Sequence, residues 1–173
     1  MIIRRGNLKL DNTTIVSRAY EFLDNYNLHD FDVQYGQLKG RLSTIVMVMY
    51  LYKNKLQHLM PHYWKEFEPL NEIISMHCEN KKVRSSWFNI LPTGTSLPAH
   101  NHKVSKDQGS THGTFIYYPQ LEDGDVLLEL FENDEWVPVH AQTGDWIWFD
   151  LDCMHRVPIN NTDHHRISFA FDL

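Results

Sequence analysis

The sequence predicts a mainly β fold with helices at its front, a jelly roll or related sandwich, on three observations. Short runs rich in Trp, Phe, Ile, Tyr and Val follow one another after Lys82. Turn-forming clusters separate them: Pro92-Thr93-Gly94, Glu122-Asp123-Gly124, Glu132-Asn133-Asp134, Thr143-Gly144-Asp145 and Asn160-Asn161-Thr162-Asp163. The segment before Lys82 has helical rather than alternating apolar spacing. At 173 residues and 20.5 kDa the chain suits one domain, 1–173, in which a helical part, 1–82, packs on a jelly-roll core, 83–173.

Between Asn12 and Tyr26, the positions Ile15, Val16, Ala19, Phe22, Leu23 and Tyr26 share one helical face, with Asn12 or Thr13 as N-cap. A second helix is expected from near Gly40 through Leu42, Ile45, Val46, Met49, Leu56 and Leu59, ending before Pro61; Met47 to Met49 suit a buried strand equally well. Pro61 and Pro69 each fit the first turn of a short helix, and Ile73, Ile74 and His77 share the inward face of the latter. Strands are then expected at Ser86 to Leu91, Gly113 to Tyr118, Val126 to Phe131, Trp136 to His140, Asp145 to Phe149, Met154 to Ile159 and His165 to Phe171.

Composition excludes several classes of function. With 42% apolar and 22% charged residues the chain is neither disordered nor fibrous. Its formal charge of -6, without a basic stripe, disfavours nucleic acid. The longest apolar run, Thr44 to Tyr52, falls far short of the ~20 residues that cross a bilayer. Cys78 and Cys153 are too few for a disulfide framework, so a cytoplasmic location is expected. The unusual feature is the set of 11 histidines.

His100 and His102 are two residues apart, so on an extended strand both face the same side and can meet one metal ion. His155 follows the Gly144-Asp145 turn and the apolar strand Trp146 to Phe149. Two ligands from one strand and one from a distant strand make a facial set that leaves positions open for substrate and oxygen. In the last strand, alternation puts Arg166, Ser168 and Ala170 on one face and Ile167, Phe169 and Phe171 on the other. With Asn160 to Asp163 as a hairpin tip, His155 is expected nearly opposite Arg166 to Ser168 on the neighbouring strand. Arg can grip a carboxylate with two parallel hydrogen bonds, and Ser can add a third.

Taken in order, Trp87-Phe88-Asn89, His100-Asn101-His102, Tyr117-Tyr118, Gly144 with His155-Arg156-Val157, and Arg166-Ile167-Ser168 resemble the iron(II)/2-oxoglutarate-dependent oxygenases, especially the small ones of bacteria and phages. The resemblance runs from roughly Ser85 to Leu173. The Phe149 to His155 segment and the Asn160 to Asp163 turn are also similar to aspartyl/asparaginyl β-hydroxylases, a branch of that superfamily. It implies a double-stranded β-helix buttressed by helices, and hydroxylation of a peptide, amino acid or small molecule by molecular oxygen and 2-oxoglutarate at Fe(II). It also implies His100 and His155 as iron ligands and Arg166 with Ser168 on the distal carboxylate of 2-oxoglutarate. Asn89, one of Tyr117 or Tyr118, and His112 are candidates for further co-substrate contacts, the first two on strands flanking the histidine strand.

The sequence departs from that pattern at His102, which stands where the family commonly has Asp or Glu. Either His102 is a third neutral ligand, or two histidines and water hold the iron, or a carboxylate such as Asp107 joins them. The same residues, with Gly94 and Gly144, also match much of the cupin pattern, in which three histidines bind a metal without 2-oxoglutarate and Arg166 has no assigned task. Cys153 lacks a basic activator beside it and is set aside as a ligand or nucleophile.

Overall fold

The computed structural model describes residues 2–26, 42–43, 51, 54–78, 82–103, 112–121 and 125–173. Two antiparallel sheets face each other. The larger orders its strands β1 (Ile2–Asn7), β8 (Asp145–Phe149), β5 (Thr114–Gln120), β10 (Arg166–Asp172), β3 (Ser85–Leu91) and β2 (Leu42–Ser43). The smaller orders β4 (Leu97–His100), β9 (His155–Val157), β6 (Val126–Glu132) and β7 (Glu135–His140).

Alternation sorts the side chains of the larger sheet onto two cores. Phe88, Phe115, Tyr117, Phe169 and Phe171 point outward and pack under a helical layer with Phe22, Trp64 and Phe67; Phe67 lies 4.9 Å from Phe169 and 5.1 Å from Phe171 between ring centroids. Ile116, Tyr118, Ile147 and Phe149 point the other way, against Leu127, Leu128 and Leu130 of the smaller sheet.

The helical layer contains α1 (Asn12–Asn25) and α2 (Glu68–His77), with 3-10 turns at Gln57–Leu59, Pro61–Tyr63 and Lys65–Phe67. Asp11, rather than Asn12 or Thr13, caps α1: its carboxylate accepts the Thr14 N–H at 3.1 Å and the Thr14 hydroxyl at 2.7 Å. Ile15, Ala19, Phe22 and Leu23 are its buried face. In α2, Leu70 and Ile74 are buried, and His77 lies 5.7 Å from Trp146. None of the helices among the described residues is long and apolar enough to cross a membrane. Both cysteines are free and buried.

Three expectations are corrected. The helix from Gly40 to Leu59 is replaced at its start by β2, whose Leu42 and Ser43 pair with Ile90 and Asn89, and at its end by a 3-10 turn. Positions 44–50, Met47 to Met49 included, lie outside the described residues, and Leu51 is helical as expected. His155 is not on the strand beside Arg166: β9 pairs with β4 and β6, whereas β10 lies between β3 and β5 in the other sheet. Asn89 and Tyr118 accordingly flank the arginine strand rather than a histidine strand. The turn after β9 crosses from one sheet to the other instead of closing a hairpin.

Candidate metal centre

His100 and His155 are opposite each other in the β4–β9 pairing, and their rings lie 4.2 Å apart. His102 follows the end of β4 and is drawn inward by its backbone N–H, which donates to Leu151 O at 2.8 Å. That bend, rather than a continued strand, brings its ring to 5.6 Å from His100 and 5.0 Å from His155. One ligand atom from each of the three lies within 4.8 Å of the others.

The hydrogen bonds select the tautomer. His100 Nδ1 lies 2.8 Å from Pro98 O and His155 Nδ1 lies 3.0 Å from Cys153 O; a carbonyl only accepts, so both Nδ1 atoms carry the proton and each ring offers Nε2. His102 Nδ1 lies 2.9 Å from Asp172 Oδ1 and 2.8 Å from Thr114 Oγ1. The Thr114 hydroxyl donates its own proton to Asp172 at 2.6 Å, so here too Nδ1 is the donor. Burial, with His100 and His102 beside it, pushes the His155 pKa down to about 3, which keeps that imidazole neutral. Three imidazoles that each donate through Nδ1 and keep Nε2 as the ligand atom form a set suited to a first-row divalent cation. Trp87, 5.3 Å from His102, and Phe149, 4.9 Å from His155, wall the cluster.

On β10, Arg166, Ser168 and Ala170 share the face that ends in Asp172. Arg166 is buried, and its guanidinium is spread over the chain's own carbonyls: Nη1 donates to Val126 O at 3.1 Å and to Pro158 O at 3.2 Å, and Nη2 to Ile159 O at 3.2 Å. Nε is buried without a hydrogen-bond partner and lies 3.7 Å from Asp125 Oδ1. Burial lowers the Arg166 pKa and Asp125 opposes that shift. Asp125 Oδ2 is in turn 3.2 Å from His164 Nε2.

Ser168 is opposite Asn89 of β3, which is buried. The register between β10 and β5 shifts between Ile167 and Phe169, so Tyr118 and Pro119 share the position facing Ser168. Tyr118 is buried between the sheets, and that burial raises its pKa. Tyr117 points the other way, its hydroxyl donating to Asn12 Oδ1 at 2.6 Å, so of the two tyrosines Tyr118 faces the interior. His112 is half-buried just before β5, and its carbonyl accepts from Trp148 Nε1 at 2.8 Å. Asp107 lies outside the described residues.

Thr114, Asp125 and Asp172 were not expected at the site. Asp172 carried a usable signal, since it continues the Arg166, Ser168, Ala170 face by one more alternation.

Neither a protein-family model nor a curated protein matches the sequence. Among solved structures, a Pseudomonas putida prolyl-4-hydroxylase superposes with a TM-score of 0.58 over 98% of this chain and 90% of that one, at 13% identity. The fold is the double-stranded β-helix. A 2OG-Fe(II) oxygenase family oxidoreductase from Burkholderia pseudomallei matches 52% of this chain, spanning only 43% of its own length, with 11% identity and a TM-score of 0.46. A Bordetella pertussis cupin domain matches 51% of this chain and 78% of its own, at 15% identity and a TM-score of 0.38.

Proposed function

We propose that the protein is an iron(II)- and 2-oxoglutarate-dependent dioxygenase that hydroxylates a peptide, amino acid or small molecule, acting in the cytoplasm where its free cysteines stay reduced. The observation that carries this reading is the cluster of His100, His102 and His155 inside a double-stranded β-helix, each ring oriented to offer Nε2. When bound there, the iron couples oxidative decarboxylation of 2-oxoglutarate by oxygen to hydroxylation of a C–H bond.

The chain's own residues bind and orient. Arg166, whose guanidinium three carbonyls hold in place with Asp125 beside its Nε, would bind the distal carboxylate of the co-substrate. Ser168, Asn89 and Tyr118 converge from adjacent strands and supply polar contacts along the co-substrate. Trp87 and Phe149 keep water from the reacting centre. His112 is the remaining candidate for a co-substrate contact.

One observation favours a second reading, a three-histidine cupin that does not use 2-oxoglutarate: Arg166 already has the Asp125 carboxylate beside it. Anaerobic titration of the apo-protein with iron(II), then 2-oxoglutarate, separates the two. The first reading expects a weak visible charge-transfer band, and Arg166→Ala should weaken co-substrate binding by about 2–4 kcal/mol. Iron binding without that band at any co-substrate concentration supports the cupin.

A further inference from the structure

Asp172 presents an electrostatic problem. Its side chain is 0% exposed, one oxygen has no hydrogen-bond partner, and among the described residues its one ion-pair partner is His102. A buried carboxylate is costly without a compensating positive charge. An imidazole that gives Nε2 to a metal is neutral and by itself offers the carboxylate only the Nδ1–H dipole, and the divalent cation on that far nitrogen would supply the charge. The problem and its answer lie on one line: carboxylate, Nδ1–H, ring, Nε2.

The metal site has the complementary need, because three neutral imidazoles leave a dication uncompensated. We propose that Asp172, with Thr114, is the positioning carboxylate of the metal centre: it holds His102 as an Nε2 donor and supplies the negative charge its ligands lack. The fold builds this pair deliberately. Asp172 and Thr114 are directly opposite in the β10–β5 register, so their 2.6 Å hydrogen bond is a cross-strand contact that holds Oδ1 where His102 Nδ1 meets it. Gly113, at φ +113°, leads the chain into β5 close against β8: a Cβ there would lie 2.5 Å from Phe149 O and from Trp148 Nε1. The inference rests on the metal centre of the preceding reading and not on its co-substrate.

The test is Co(II) binding to the apo-protein, followed by its ligand-field absorption and by competition with a chelator. Asp172→Asn keeps shape and removes charge; it should bind Co(II) about 10–100-fold more weakly, with an altered ligand-field band and an unchanged near-UV dichroism. In the double variant with His102→Ala, the Asp172→Asn change should cost clearly less than it does alone, because its contact with the site passes through that ring and only the longer-range charge remains. Wild-type affinity in Asp172→Asn, or losses that multiply in the double variant, overturns the proposal. If Asp172→Asn does not fold, Thr114→Val removes one of the two acceptors of Nδ1–H and keeps the charge. It should weaken Co(II) binding and Thr114→Ser should restore it; unchanged affinity in Thr114→Val overturns the proposal equally. A protein whose Co(II) affinity depends on Asp172 but which gives no 2-oxoglutarate response retires the co-substrate reading alone. One that binds no Co(II) retires the metal centre and this inference together.

Discussion

His62 is a buried histidine outside the metal cluster, and its surroundings give it a different task. Its Nδ1 and its backbone N–H both meet Ser86 Oγ at 2.8 Å, and Asn71 donates to its carbonyl at 2.7 Å. Burial pushes its pKa down from 6.5 to about 4. As pH falls through this window the unfolded chain takes up a proton that the folded chain refuses, so protonation favours unfolding. The stability is therefore complete above the unfolded value and lost as pH falls toward the folded one, to a total of roughly 3 kcal/mol. Urea unfolding at a series of pH values should show this loss, and His62→Gln, which cannot titrate, should show a shallower slope. Parallel slopes would mean that His62 is not the group responsible. At this scale the sequence was legible in part. His100 and His102 were found because their spacing implied a shared face, and His155 as the third ligand from a distant strand. Asp172 and Thr114 were missed because their partnership is a cross-strand register, and register is invisible in either strand alone.

The connection from β9 to β10 shows how one element can be governed by one side chain. Asn160 is 0% exposed. Its amide donates to Leu91 O at 2.9 Å and His164 O at 2.7 Å, while its Oδ1 accepts from Thr162 N–H at 3.1 Å and the Thr162 hydroxyl at 2.6 Å. Its backbone adds Asn160 N–H to Thr95 O at 2.8 Å and Gly94 N–H to Asn160 O at 2.7 Å, tying this turn to the one after β3. Asn160→Ala would strand those carbonyls and should cost about 2–4 kcal/mol, read as a lowered midpoint in chemical denaturation. An effect under about 0.5 kcal/mol would show that the backbone pair alone holds the turn. Elements with strong alternation, such as β5, β8 and β10, were legible. Among the edge strands β7 was legible, but β1 and β4 were not: β1 is interrupted by Arg4 and Arg5, and β4 contains Pro98, which an edge position tolerates because no ladder donor is needed there. The turn after β9 was recognised as a turn, but turn chemistry does not say whether the chain returns to the same sheet, and so the pairing of His155 with Arg166 was misplaced.

At the scale of the molecule, the larger sheet separates two cores, and β10 contributes to both: Phe169 and Phe171 to the helical side, Arg166, Ser168 and Asp172 to the metal side. Which face each residue takes follows from alternation and was readable in advance, whereas which sheet each strand joins depends on distant partners. This division makes two kinds of stability separable. Phe67→Ala empties a fully buried position against Phe169, Phe171 and Tyr117 and should cost about 3–5 kcal/mol, lowering Tm. A metal held by the three histidines would act on the other face, joining β4 to β9 and, through His102, to β10. A divalent cation at about 100 times its Kd adds about 2.7 kcal/mol, or roughly 5–10 °C in Tm for a chain of this size, and a chelator removes it. Because the perturbed groups share no partners, the metal-dependent shift should persist at nearly full size in Phe67→Ala and vanish in His155→Ala. Thermal melts of the three proteins with and without metal measure this directly. A shift that collapses in Phe67→Ala would mean that β10 carries strain from the helical face to the ligands, and that the helical layer helps to shape the metal site rather than only covering the sheet.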